Sequence, residues 1–499
     1  MRQVFGVALL LLATPAPAAI EPPLDQAALR AHIAFLADDA LEGRKPGTEG
    51  GDKAAHYIAR QFSAAGLLPG GPDGSWYQPV PLVERMPLSV TQVWHGKKGP
   101  INLPLESTQF TARDAQLKLD QAGVVFAGYG LDLPEQGFAD VKSVNVRGKV
   151  VLLLSGRPEA VRDAPGLEVR RRAITKAGAA AVIALTGAPD PWDVIRDQLN
   201  RGRTVLANEV HAPLEGALAV DAWTALIKAG GAEPEALVKA AAQPGFQAKP
   251  LDLTLDIEAR SQIRAFDSVN VIGRISGRDR PGEAVLYLAH WDHLGLCRPP
   301  GAADRICNGA VDNASGVAVM IEIARRLKQS QASRRSLYFV ATTAEEMGLY
   351  GARTLAENLP VARGHVAAAI NLDTVAIAPA GEPVAVIGRG RTPLDPLIDT
   401  AARKQGRKID DSDAANAFIA RQDGWELLKV GIPAIMLGGA FSDAARLATF
   451  LAGDYHKPSD DLAHVIPLDG AAEDGALQVV LGRMLADPAK LPLPGKSKR

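Results

Sequence analysis

His290, Asp292 and His293 fall within one run of four residues, His290-Trp291-Asp292-His293, directly after a short apolar stretch. Farther along come Asp312-Asn313-Ala314-Ser315-Gly316, the pair Glu345-Glu346, Asn371-Leu372-Asp373, and Tyr455-His456 within a loop ending at Asp460. Imidazole nitrogens and carboxylate oxygens in one set are the donors that zinc and similar ions take. Two imidazoles and three carboxylates, one of them shared, suffice for two ions about 3.5–4 Å apart. Such a pair would supply hydroxide from water near neutral pH, with a carboxylate held off the metals to move the proton. That chemistry is hydrolysis. Taken singly, most of these groups have plainer uses. Asp312 with Ser315 could cap a helix, and Glu345-Glu346 could open a solvated one. Asp373 could close a turn and His456 could sit on the surface. His290-x-Asp292 is better placed, because alternate residues just past a strand share one side and the carboxylate can orient the ring.

Only a scaffold that collects strand ends can bring these groups together. Ala284 to Ala289 is a short, wholly apolar run, as expected of a strand covered on both faces. Val317, Met320, Ile321, Ala324 and Leu327 recur at helical spacing after it. Further strands are predicted at 336–341, 366–372 and 432–437, with helices at 349–357, 393–404, 424–428 and 468–485. Strands alternating with helices predict an α/β fold with a mixed, largely parallel central sheet flanked by helices. Ligands of open α/β sheets bind beyond the carboxyl ends of the strands, and four of the five sets lie at such connections. Upstream, helices are expected at 26–39 and 52–65, followed by short β-like runs from 78 to 119. The texture changes near Ala122, and the block that follows contains one histidine, His211, without a tight acid–histidine cluster. That block reads as a separate module with no chemistry of its own.

As an ordered set, these motifs resemble the di-zinc aminopeptidases of peptidase family M28. The match rests on His290-Trp291-Asp292-His293, Asp312 to Gly316, Glu345 to Gly351, Asn371-Leu372-Asp373 and Tyr455 to Asp460, and extends to Leu36–Arg44. The resemblance implies a zinc-exopeptidase fold holding two zinc ions per chain. Asp312 would bridge them, His290 and Asp373 would complete one site, and Glu346 and His456 the other. Glu345 would be the general base, Asp292 the partner of His290, and Tyr455 a donor to the oxyanion. It implies peptides with a free N-terminus as substrates. It also implies a β-rich protease-associated domain inserted into the catalytic one. The expected division is a leader at 1–19, catalytic segments at 20–120 and 259–490, the insertion at 121–258, and a polar tail at 491–499. The same fold also resembles glutaminyl cyclases, and carboxypeptidase or dipeptidase action or a receptor-like ectodomain remain open alternatives.

Composition narrows the other classes. The 499 residues are 47% hydrophobic and 22% charged, with 55 Lys+Arg against 56 Asp+Glu, which describes a large globular protein of about three units. Neither that balance nor any basic run offers a nucleic-acid surface. A basic start, an apolar run from Val4 to Ala13 and small residues to Ala19 form an export leader, which places the protein in a bacterial periplasm or outside the cell. No other stretch is long enough to insert stably in a membrane. No Gly-x-Ser-x-Gly or His-Glu-x-x-His pattern occurs. Cys297 and Cys307 are too few for a thiolate metal site. In an exported chain they read as a local disulfide beside the metal ligands, the other possibility being two free thiols.

Overall fold

A computed structural model of the chain describes residues 20–161, 164–187, 191–463 and 468–493. The expected leader at 1–19, and the tail from 494 onward, lie outside the described residues. The chain divides into two compact units, Met1–Val80 with Ser268–Arg499, and Pro81–Asp267. This division falls outside the expected boundaries at 120/121 and 258/259, for reasons visible in the pairing. Leu82–Arg85 pair antiparallel with Arg203–Leu206, and Thr108–Ala112 with Leu214–Leu218, so residues 81–120 hydrogen-bond into the inserted unit. The change of texture near Ala122 marks the middle of a strand, Gln116–Phe126, and not a junction.

In the first unit the sheet runs in the order Ala385–Ile387, Ala434–Gly438, Val366–Asn371, Arg280–His290, Arg335–Thr342, and then the end of Lys249–Ile275. The central strands are parallel, and the two flanking pairings are antiparallel. The Arg280–His290 strand shows why the run is apolar throughout. Val285, Tyr287 and Ala289 face one core with helices Gln26–Leu36, Gly316–Gln329 and Asp469–Leu485, whereas Ala284, Leu286 and Leu288 face another containing Leu355 and Leu427. A period of two with both faces apolar is the mark of a strand between two helix layers. Helix Glu49–Ala64 starts where Thr48 accepts a hydrogen bond from the Gly51 amide at 3.2 Å, with Glu49 and Asp52 in its first turn.

The second unit has a sheet of its own, in the order Gln116–Phe126, Val150–Leu154, Ala181–Leu185, Leu214–Leu218, Thr108–Ala112. Its first four strands are parallel. Among the described residues it also carries α-helices Leu167–Lys176, Trp192–Asn200, Val220–Ala229 and Pro234–Ala241, more helix than a β-rich insertion implies. Helix residues Trp223, Leu226 and Leu237 pack into its core, which explains why that core needs them. No helix among the described residues is long and apolar enough to cross a membrane.

Candidate active site

Three parallel strands deliver the first donors. His290 is the last residue of its strand and pairs in register with Thr342, while Leu288 pairs with Asn371. The connections leaving these strands therefore start at one edge and place His290, Glu345-Glu346 and Asp373 close together. Asp312 arrives from the turn before helix Gly316–Gln329. That turn depends on Gly309, at φ +59°, where a Cβ would meet the Asp312 carbonyl oxygen at 2.1 Å. Helix Ala444–Gly453, not expected from the sequence, is capped by Asp443, whose carboxylate accepts from the Ala445 and Arg446 amides, and it leads directly to Tyr455 and His456.

The geometry is that of one shared carboxylate between two imidazoles. Asp312 Oδ1 lies 3.2 Å from His290 Nε2, and Asp312 Oδ2 lies 3.4 Å from His456 Nε2. His290 Nε2 is also 3.5 Å from Asp373 Oδ1, and His456 Nε2 is 3.0 Å from Glu346 Oε2. Although close to both acids, the buried His456 Nε2 is aligned for a hydrogen bond with neither. A ring nitrogen crowded by carboxylates but bonded to none fits a cation between them. Two overlapping triplets, His290-Asp312-Glu346 and His290-Glu345-Asp373, bring donor atoms within 4.8 Å of one another. The donor set, nitrogen and oxygen with no thiolate, is suited to zinc. Glu345 thus stands beside His290 and Asp373, nearer to the donors than a base kept clear of them would need.

Other contacts fix the donors. His290 Nδ1 donates to the Asp292 backbone carbonyl at 3.1 Å, which leaves Nε2 as the lone-pair nitrogen. The expected carboxylate–imidazole contact is therefore replaced by a backbone one. The Asp292 carboxylate is 3.9 Å from the ring and accepts instead from the Glu345 amide at 3.1 Å. Asp460 accepts from the Val311 amide at 2.8 Å and the Asp312 amide at 3.0 Å, holding the turn that carries Asp312 with both oxygens. Asn313 donates to the Leu372 carbonyl at 2.9 Å, tying that turn to the strand end before Asp373. His293 Nδ1 donates to Glu346 at 2.6 Å. Arg44, fully buried, donates to the carbonyls of Trp291 (2.7 Å), Leu36 (2.7 Å), Gly309 (2.9 Å) and Asn308. Tyr455 stacks its ring on His456 at 3.7 Å.

Burial raises the Glu345 carboxyl well above the usual range, helped by Glu346, Asp423 and Asp373 and opposed by His290. Asp423, a buried acid that accepts from the Thr342 hydroxyl, is pushed up to about 7 mainly by burial. Burial also lifts Asp292 and Asp460 to about 6. Asp312 is held well below the carboxylate range because His290 and His456 outweigh its burial. Among these residues, Arg44, Asn313, His293 and Asp460 were visible only as motif members. Asp423 had no signal, since an acid before a short helix looks like an ordinary cap. Cys297 and Cys307 are bonded, closing a two-stranded ribbon of Gly295–Leu296 and Ile306–Cys307 between His290 and Asp312.

Beside the donors opens a cleft, walled on one side by Asp312, Glu345 and Asp373. Its other wall is apolar: Ile387, Phe418, Met436, Phe441, Leu447 and Leu451.

Residues 270–479 match the model of peptidase family M28. Over 105 residues the chain is 36% identical to a "Probable zinc metalloprotease" of Pyrenophora teres f. teres (strain 0-1), covering 21% of this chain and 22% of the relative. Over 170 residues it is 29% identical to "Aminopeptidase NAALADL1" of Mus musculus, covering 32% of this chain and 21% of that one. The chain thus spans about a fifth of the length of these relatives. The solved "Aminopeptidase from Aneurinibacillus sp. strain AM-1" superposes with a TM-score of 0.57 at 19% identity, covering 93% of this chain and 94% of its own, and so shares the fold. Residues 270–479, which carry every donor of the crevice, are a domain of peptidase family M28.

Proposed function

We propose that the protein is a zinc-dependent metallo-aminopeptidase that removes N-terminal residues with apolar side chains from peptides. The observation that carries this reading is Asp312, whose two oxygens each face a different imidazole, 3.2 Å and 3.4 Å away. His290, Asp312 and Asp373 would hold one ion, and Asp312, Glu346 and His456 a second. Bound there, two zinc ions would polarise the scissile carbonyl, accept a free α-amine and lower the pKa of a water between them.

The protein's own residues do the rest. Glu345 takes the proton of the attacking water and returns it to the leaving amine; burial and neighbouring acids make its carboxylate the more basic one of the pair Glu345-Glu346. Tyr455 keeps its proton, since burial and the surrounding carboxylates raise its hydroxyl, and it can donate to a developing oxyanion. The apolar wall receives the side chain of the first residue and keeps water from the reacting atoms. The disulfide Cys297–Cys307 supports residence in an oxidising compartment, in line with an exported, periplasmic or secreted protein.

Arg421 favours a second reading. It also lines the cleft, where its guanidinium could pair with a C-terminal carboxylate, as dipeptidase or carboxypeptidase action would require. Metal analysis of the purified protein, with aminoacyl chromogenic substrates assayed with and without chelator, tests the proposal. Two zinc ions per chain and chelator-sensitive release of N-terminal Leu, Met or Phe are expected. Hydrolysis confined to N-blocked peptides would sink the aminopeptidase reading, and a strict need for a free carboxylate would favour the second one.

A further inference from the structure

The middle unit, which the sequence leaves without chemistry, contains a small cavity walled by Arg85, Arg113, Arg171 and Arg203 and by one acid, Glu215. Three of the four guanidiniums are engaged. Arg203 pairs with Glu215 at 2.7 Å and also with Glu168. Arg171 pairs with Glu168 at 3.1 Å, and Arg113 with Asp114 at 2.9 Å. Glu215 is itself shared with His211, whose Nδ1 is 3.1 Å away, while His211 Nε2 sits 3.5 Å from Glu209. The acid–histidine cluster that the sequence does not reveal is therefore present, and its acids are already in use.

Arg85 is the exception. It is 8% exposed, and the Nε of its guanidinium is buried without an acceptor, as is Arg171 Nε. On the paired strands its Cα partner is Arg203, so two like charges stand opposite each other. Glu215 is the acid that most favours the Arg85 charge, but it is already shared by Arg203 and His211, so burying this guanidinium beside three others is costly unless something further and negative joins it. Gln109 and Thr111 add further polar groups to the same wall.

We propose that this cavity is a binding site for a small oxyanion, of the carboxylate or phosphate type, held by Arg85. The planar fork of a guanidinium matches two oxygens of either group, and the unpaired N–H donors of Arg85 and Arg171 supply the acceptor-seeking side of the site. The proposal rests on residues of the middle unit alone, and its failure would leave the peptidase reading untouched.

The test uses the full-length protein, titrated with inorganic phosphate, acetate or chloride at constant ionic strength and followed by calorimetry and thermal melting. Saturable binding of phosphate or acetate with a rise in Tm is expected, and the two arms identify which oxyanion is preferred. Arg85→Met should weaken that binding by about tenfold or more. Without added oxyanion it should melt no lower than the parent, because an uncompensated buried charge is gone. Arg85→Lys keeps the charge and loses the fork, so it should bind more weakly than the parent even if Arg85→Met fails to fold. Equal responses to chloride and to the oxyanions, or unchanged oxyanion binding in the variants, would overturn the proposal.

Discussion

The two units each bury a polar cluster, and the clusters carry opposite surplus charge. In the peptidase domain the seven acids Asp292, Asp312, Glu345, Glu346, Asp373, Asp423 and Asp460 outnumber the cationic groups described around them, the imidazoles of His290, His293 and His456 and the guanidiniums of Arg44 and Arg421. Its atoms without partners include carboxylate oxygens of Asp292 and Asp423. In the middle unit four arginines wall a cavity with one acid, and the atoms without partners include two guanidinium nitrogens. Because a buried charge is stable only when paired, the sign left over indicates the sign of what each place receives. The two also differ in support. Asp312 is held through its backbone by Asp460, and the loops beside it by Arg44; such bracing pre-positions donors for chemistry. Arg171 and Arg203 are held mainly by ion pairs, an arrangement sufficient for binding.

The strongest way to break this contrast is to remove the surplus negative charge at its centre. Asp312→Asn should abolish binding of both ions and reduce hydrolysis to background, as should a chelator acting on the parent protein. Metal content by mass spectrometry, alongside the aminoacyl assay, checks it. Retention of two ions by the variant would show that Asp312 is not shared. Glu345→Gln should be next in size, lowering kcat by about 10²–10⁴-fold with metal content unchanged. Full turnover in that variant would remove Glu345 from proton transfer.

The cluster of acids and imidazoles was legible because it sits at loop positions after apolar strands, where an acid or imidazole interrupts an otherwise simple pattern. His290 after Ala284–Ala289 and Asp373 after Val366–Asn371 are of this kind. The bracing was less legible. Asp423 and Arg44 act on groups far away in sequence, through backbone carbonyls or a threonine hydroxyl, and no periodicity marks such a partner. The lone Arg85 was invisible for another reason: an arginine in a strand reads as surface, and only the pairing of 82–85 with 203–206 shows that it is buried against a second one. Unit boundaries failed similarly, since long strands such as Lys249–Ile275 cross them without a change of composition.

Bracing should contribute less than the candidate ligands, by a measurable amount. Arg44→Met leaves four buried carbonyls without their donor, each worth about 1–3 kcal/mol, so the urea midpoint should fall markedly. An unchanged midpoint would mean that solvent or a shift of the turn replaces the guanidinium. Asp460→Asn keeps the shape of the side chain but gives up one acceptor for the 311–312 amides. Affinity for zinc should drop about 10–100-fold, read by competition with a chelator, while the fold persists.

The smallest expected effect tests the positive cluster through its histidine. His211 is buried, which lowers its pKa, but Glu209 and Glu215 outweigh burial and the net shift is upward. Glu215 goes the other way, held down to about 2, as His211, Arg203 and Arg171 outweigh its burial. For a group raised in the folded state, the stabilisation is complete below the unfolded pKa, about 6.5 for histidine, and is lost as pH rises through the folded value. For Glu215 the stabilisation is complete above about 4.3 and is lost as pH falls toward 2. The contribution of this cluster to Tm should therefore be greatest between those limits and decline on both sides. His211→Gln should remove the alkaline decline while Glu215 preserves the acid one, since Arg203 and Arg171 remain as its partners. Parallel melting curves for parent and variant from pH 6.5 upward would show that His211 is neutral in the folded protein, and that the middle unit owes its positive surplus to arginine alone.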